Sequence, residues 1–229
     1  MEAAGNPVSF PIVSEAEILK YVGVTGLPGS GKGAFIAELD RQLVEANVYL
    51  HYWSLSDELR EEARRRGEPI SRPALRRIAN ELRKKEGAGV LAIRVSAKAQ
   101  QMAEDSAGQG KIVVVVDAIR NPEEVRALQR ALAPAFTLVA VEAPMEQLVA
   151  RIAARARADE TAEVVGQEAK ARQMILGEAG EGEPAHGHNI KACMAMADHH
   201  LDNSGSLADL AAETSRFVES LLSRAETSG

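Results

Sequence analysis

A chain of 229 residues, 45% of them hydrophobic, is long enough for one domain with a substantial core plus a lid or short extensions, and too short for two full domains. Its 27 basic residues against 33 acidic ones leave a net charge of −6, which disfavours a broad nucleic-acid surface or attraction to an anionic membrane, so any polyanion is expected to bind locally. The lone cysteine, Cys193, excludes an internal disulfide, and residues 1–11 lack the apolar core of a signal peptide. No apolar run approaches the roughly 20 residues of a membrane span, so the cytoplasm is the expected compartment.

The first clear element is the strand-like run Tyr21 to Thr25. It leads into Gly26-Leu27-Pro28-Gly29-Ser30-Gly31-Lys32-Gly33, the spacing of a phosphate-binding P-loop. The glycines let backbone N–H groups converge on phosphate oxygens, the following helix adds its positive dipole end, and Lys32 reaches the terminal phosphates. Where P-loops usually carry Ser or Thr as a magnesium ligand, this chain has Gly33. Phe35, Ile36, Leu39, Leu43 and Val44 then recur at helical spacing, and Val48 to Trp53 reads as a second strand. Residues 55–107 hold about three helical segments, more than a single crossover needs, and are expected to cover an acceptor.

The third strand, Lys111 to Val116, ends in Asp117-Ala118-Ile119-Arg120, an acid where a P-loop fold orders magnesium through water, with an arginine three residues on. Asn121-Pro122-Glu123-Glu124 signals a helix start, and Val125, Leu128 and Leu132 carry its apolar face. The fourth strand, Phe136 to Val141, precedes a helix with Arg151, Arg155 and Arg157, the first two on one face. Residues 157–189, with Arg172 and the cluster Gly177 to Glu183, read as a mobile helical lid with a flexible link. A short strand at His199 to Leu201 is followed by Asn203 and by Ser204-Gly205-Ser206, the start of a last helix; residues 224–229 are expected to fray. Residues 1–20 stay unassigned. Strands alternating with helices throughout make this a βαβ chain.

These segments resemble P-loop nucleoside monophosphate kinases. The proline and the Gly-Lys-Gly of the loop are similar to adenylate kinases, although those continue with Thr where this chain has Ala34. Ser54-Leu55-Ser56-Asp57-Glu58-Leu59-Arg60 resembles their acceptor segment, and Asp117-Ala118-Ile119-Arg120 resembles their Asp-Gly strand end with its acceptor arginine. Residues 197–207 resemble the last strand and adenine-contacting turn of dephospho-coenzyme A kinases and their archaeal relatives of uncertain substrate.

The resemblance implies one α/β domain over residues 1–229. It would be a three-layer α/β/α P-loop fold with a five-stranded parallel sheet of order 2-3-1-4-5. It implies ATP and Mg²⁺, with ATP bound by Gly26, Pro28, Gly29, Ser30, Gly31, Lys32, Gly33, Ala34, Arg151 and Asn203. Lys32, Asp57 and Arg155 are the expected catalytic residues; Ser56, Asp57, Arg60 and Arg120 the acceptor-binding ones; Asp117 the magnesium residue, through water. The expected reaction is phosphoryl transfer to a nucleoside or deoxynucleoside monophosphate. Alternatives are a hydroxyl acceptor, including dephospho-coenzyme A or a modified nucleobase, and a nucleotide-dependent regulatory switch. The acceptor is a small molecule, no membrane partner is expected, and a homodimer is left open. His186, His188, Cys193, His199 and His200 fall in one stretch, but adjacent strand histidines point to opposite faces, which disfavours a zinc site; His186 or His188 is instead placed as a lid cap or substrate contact.

Overall fold

The computed structural model of the protein describes residues 17–105, 110–154 and 168–226. In chain order the elements are β1 (Glu17–Thr25), α1 (Lys32–Glu45), β2 (Val48–Ser54), α2 (Leu55–Arg66), α3 (Arg72–Glu86), α4 (Val90–Asp105) and β3 (Lys111–Asp117). There follow α5 (Pro122–Leu132), β4 (Phe136–Glu142), α6 (Met145–Ala154), α7 (Glu168–Ala179), α8 (Ile190–Met194), β5 (His199–Asp202) and α9 (Leu207–Glu226). The five strands pair in parallel in the order β2-β3-β1-β4-β5, as the sequence predicts. Three helices, α2 to α4, fill the long insertion.

The valine run of β3 shows why the strands read as unbroken apolar segments. Val114 and Val116 point into one core with Leu55, Ile78, Leu91 and Leu128, while Val113 and Val115 point into the other with Phe35, Leu39 and Phe217. Both faces are covered by helices, so alternation has no polar side to display. Gly23 on β1 keeps the layers close, because a Cβ there would sit 2.7 Å from Phe136 and 3.0 Å from Ile119. A third, separate core joins Leu27 of the loop to Leu148, Ile152, Ile175 and Ile190, seating α6, α7 and α8 beside the P-loop.

The predicted start of α5 is present as a full capping box: the Asn121 side chain accepts from the Glu123 N–H and the Glu124 carboxylate accepts from the backbone of Arg120 and Asn121. The Asn121 amide also donates to the carbonyls of Ala185 and Gly187, and the Asn189 N–H donates to the Arg120 carbonyl. These bonds pin the segment before α8 onto the end of β3. No helix among the described residues is long and apolar enough to cross a membrane.

Candidate active site

Because every strand is parallel, the segments that follow β1 to β5 leave the same edge of the sheet, the usual place for ligands in open α/β folds. After β1, the P-loop turns through Gly29 (φ 84°) and Gly31 (φ 95°). A Cβ at Gly29 would lie 2.8 Å from the Leu148 carbonyl oxygen, and one at Gly31 would lie 2.0 Å from Asn203 Nδ2. Neither position admits another residue. Lys32 Nζ folds back to donate to the Gly26 carbonyl at 2.7 Å, so the loop's own backbone engages the ammonium.

The turn after β5 braces this loop. Asn203 is buried, and its side-chain amide donates to the Ser30 carbonyl at 2.8 Å. Arg151 on α6 ties the two together, donating to the Asn203 carbonyl at 2.8 Å and the Gly29 carbonyl at 3.3 Å. A cavity of about 540 Å³ opens beside them, lined by Gly29, Gly31, Ala34, Arg151, Asn203 and Leu207. The side chain of Asn203 thus reaches the phosphate loop rather than open space, an arrangement that an Asn-Ser-Gly-Ser turn does not signal in sequence.

A second cavity, of about 470 Å³, runs from Gly33 and Asp40 on α1 to Tyr52 and Asp117 at the ends of β2 and β3. Asp117 Oδ2 accepts from the Tyr52 hydroxyl at 3.1 Å, whereas Oδ1 is buried with no hydrogen-bond partner. A buried carboxylate oxygen without a donor is costly and suits a cation or its water. Burial, followed by the charge of Asp117, pushes the Tyr52 phenol up to about 12, so it stays a donor. Tyr52 was not singled out in the sequence; only its place two residues before the end of β2 pointed to it. At Gly33 a Cβ would meet nothing within 4 Å, so crowding does not explain the missing hydroxyl. Ala118, beside Asp117, has φ 64°, a left-handed conformation that favours glycine over alanine.

After β2, Ser54 caps α2 by accepting from the Ser56 N–H, which fixes the first turn bearing Ser56, Asp57 and Arg60. Arg60 donates to Asp57 at 2.7 Å on the surface, a weak pair that a ligand can open. Arg120 is engaged differently. It donates to Glu178 of α7 at 3.0 Å, Arg72 Nη2 lies 3.7 Å from the same carboxylate, and His188 Nδ1 lies 2.8 Å from it in ion-pair rather than hydrogen-bond geometry. Burial raises the Glu178 pKa, but His188, Arg120 and Arg72 together outweigh it and hold the carboxyl well below the usual range. Burial lowers the His188 pKa, against the pull of Glu178.

Of the cluster Gly177 to Glu183, the first three residues are helical rather than loop. Gly177, Glu178 and Ala179 form the last turn of α7, because Ala171, Ile175 and Ala179 bury on the third core and Glu178 is held by charge. Arg155 and Arg157 lie outside the described residues. Arg172 is a surface residue 3.5 Å from Glu146. His199 packs edge-on against Phe217, His200 sits 2.7 Å from Glu142, and no group of three His, Cys, Asp or Glu among the described residues is arranged to hold a metal ion.

Comparison with known proteins places this geometry. Residues 25–166, from the last residue of β1 through the loop and the insertion, match the AAA domain family. A UPF0200 protein of Aeropyrum pernix is 31% identical over 85% of this chain and 90% of its own length. The chain belongs to the AAA domain family and to the UPF0200 proteins. A UPF0200 protein of Methanoregula boonei is 26% identical over 89% of this chain and 98% of its own length. A UPF0200/UPF0201 protein of Archaeoglobus fulgidus is 32% identical over 91% of this chain, which spans only 58% of that longer relative. Two solved structures share the fold. The Mycobacterium tuberculosis APS kinase CysC, in complex with AMPPNP and APS, aligns over 92% of this chain and 99% of its own at TM-score 0.51 and 20% identity. TT1252 from Thermus thermophilus aligns over 91% of this chain and 98% of its own at TM-score 0.52 and 20% identity. At that identity the likeness is one of fold.

Proposed function

We propose that the protein transfers the γ-phosphoryl group of ATP to a small anionic acceptor, a nucleoside or deoxynucleoside monophosphate before others. The observation that carries this reading is the content of one sheet edge: a P-loop after β1, an arginine-bearing segment after β2, and an acid followed by a second arginine after β3. Phosphoryl transfer needs little covalent chemistry from the protein and depends on positioning and charge. Lys32 and the loop amides hold the donor phosphates. Arg60 and Arg120 orient the acceptor, and Arg155 stabilises the transferring charge. Arg151 and Asn203 keep the loop in its phosphate-receiving shape.

The residues present fit a hydrated magnesium ion, since Asp117 Oδ1 is a buried carboxylate oxygen without a hydrogen-bond partner and borders the same cavity as Gly33 and Asp40. With no third ligand grouped there among the described residues, water completes the shell, as magnesium prefers. When bound, the ion supplies charge neutralisation at the donor phosphates.

A second reading, a hydroxyl acceptor, is supported by one observation: Asp57, on the first turn of α2, adds to the charge that raises the Tyr52 phenol, so a carboxylate able to act as a base lies on that side of the sheet edge. The two readings separate by experiment. ADP formation is measured with ATP and magnesium across a panel of nucleoside and deoxynucleoside monophosphates and dephospho-coenzyme A. We expect one monophosphate to stimulate it and Lys32→Ala to abolish it with the fold intact. Asp57→Asn is expected to weaken a monophosphate kinase only partly; near-total loss would favour the hydroxyl acceptor. ATP binding with no phosphorylated product from any acceptor would favour a nucleotide switch and sink the kinase reading.

A further inference from the structure

Glu178 sits where a helix least favours a carboxylate. It is in the last turn of α7, at the negative end of the helix dipole, and only 3% exposed. It is tolerated because three basic side chains from separate segments surround it: Arg72 from the start of α3, Arg120 from the loop after β3, and His188 from the segment before α8. The three contacts are unevenly made. Arg120 and His188 share Oε2, and Arg72 stands off at 3.7 Å from Oε1. His188 Nδ1 is buried without a true hydrogen bond. A tetrahedral phosphoryl or sulfuryl group offers three terminal oxygens, enough for two guanidinium groups and an imidazole. Moreover, α7 packs on a core separate from the two that hold the sheet, so it can shift without disturbing the strands.

We propose that Arg72, Arg120 and His188 form an oxyanion site for the acidic group of the acceptor, and that Glu178 holds this site as an internal counter-ion which the incoming anion displaces. The word acceptor rests on the phosphotransferase reading above; the anion site does not. The cost of expelling Glu178 sets a threshold for binding, so that only an acceptor with a full oxyanion charge opens α7.

The test uses the full chain carrying Lys32→Ala, to suppress binding at the P-loop, titrated calorimetrically with inorganic phosphate at fixed ionic strength. Glu178→Gln in that background is expected to tighten phosphate binding at least tenfold, and adding Arg120→Ala to remove the gain. AMP should gain by the same factor, and adenosine should not bind at this site. An affinity within twofold of the Glu178 parent, or a gain that survives Arg120→Ala, would overturn the proposal. If Glu178→Gln does not fold, hydrogen exchange on the Lys32→Ala protein decides: saturating phosphate should deprotect the amides of residues 174–179, and unchanged protection overturns the proposal. A phosphate gain alongside a silent acceptor panel leaves the oxyanion site standing and removes only the kinase reading.

Discussion

Ala118 is the residue whose backbone departs furthest from its chemistry. At φ 64° its Cβ crowds its own backbone, which costs an L-residue about 1–2 kcal/mol and costs glycine nothing comparable. It stands between Asp117 and Arg120 at the end of β3. We expect Ala118→Gly to raise stability by about 1 kcal/mol, part of the gain being offset by glycine's greater freedom when unfolded, and to raise the melting temperature by roughly 2–4 °C. Differential scanning calorimetry checks it, and a lower melting temperature would show that the methyl packs usefully. Legibility at this scale was uneven. The loop glycines were readable because a P-loop demands glycine at fixed offsets, and Gly29 and Gly31 do take positive φ. The bond of Asn203 to Ser30, and the roles of Tyr52 and Glu178, were not, because the partners, Ser30, Asp117 and Arg120, come from remote segments and leave no local spacing to read.

Among the elements, α3 and α5 are joined by an ion pair that no periodicity reveals. Arg83 is 3% exposed and Glu124 fully buried; Nη2 and Nε of the arginine donate to Oε1 at 2.6 and 3.1 Å, while Oε2 closes the α5 capping box. The pair therefore fixes the insertion to the segment that presents Arg120. Removing one member of a buried pair leaves the other uncompensated, at a cost of about 3–5 kcal/mol. We expect Arg83→Met to destabilise by that amount in urea unfolding. Arg83→Met with Glu124→Gln should recover much of it, because glutamine is uncharged and its side-chain oxygen still accepts from the backbone. A double variant no more stable than the single would mean that the carboxylate charge is not what makes the loss. The strands and the α5 cap were legible from buried valine runs and a local motif. The end of α7 was not, since its Gly-Glu-Ala composition suits a linker until the burial of Ile175 and Ala179 is known.

For the whole molecule, the buried cluster joins the acceptor side of the sheet edge to α7 and so makes global stability depend on pH. Two groups act, and both signs can be worked out. The folded-state pKa of His188 lies below its ordinary value of 6.5 because burial penalises the imidazolium; Glu178 opposes this, while Arg120 and Arg83 add to it. Between the folded value and 6.5 the unfolded chain binds the proton and the native state does not, so this contribution is present above about pH 6.5 and drains away as pH falls. Glu178 is also depressed, from 4.5, and its contribution is present above about that pH and is lost further down as the native carboxylate is protonated. Exposed pairs such as Arg41 with Glu38 and Glu45 add little, being screened by solvent. Urea midpoints are therefore expected to be flat from pH 8 to 7, to fall as pH drops below about 6.5, and to fall further below about pH 4.5. His188→Gln should flatten the upper step and shrink the lower without removing it, since Arg120 and Arg72 still hold the carboxylate, and Glu178→Gln should remove the lower. An upper step that survives His188→Gln would assign it to another group and leave His188 a packing residue.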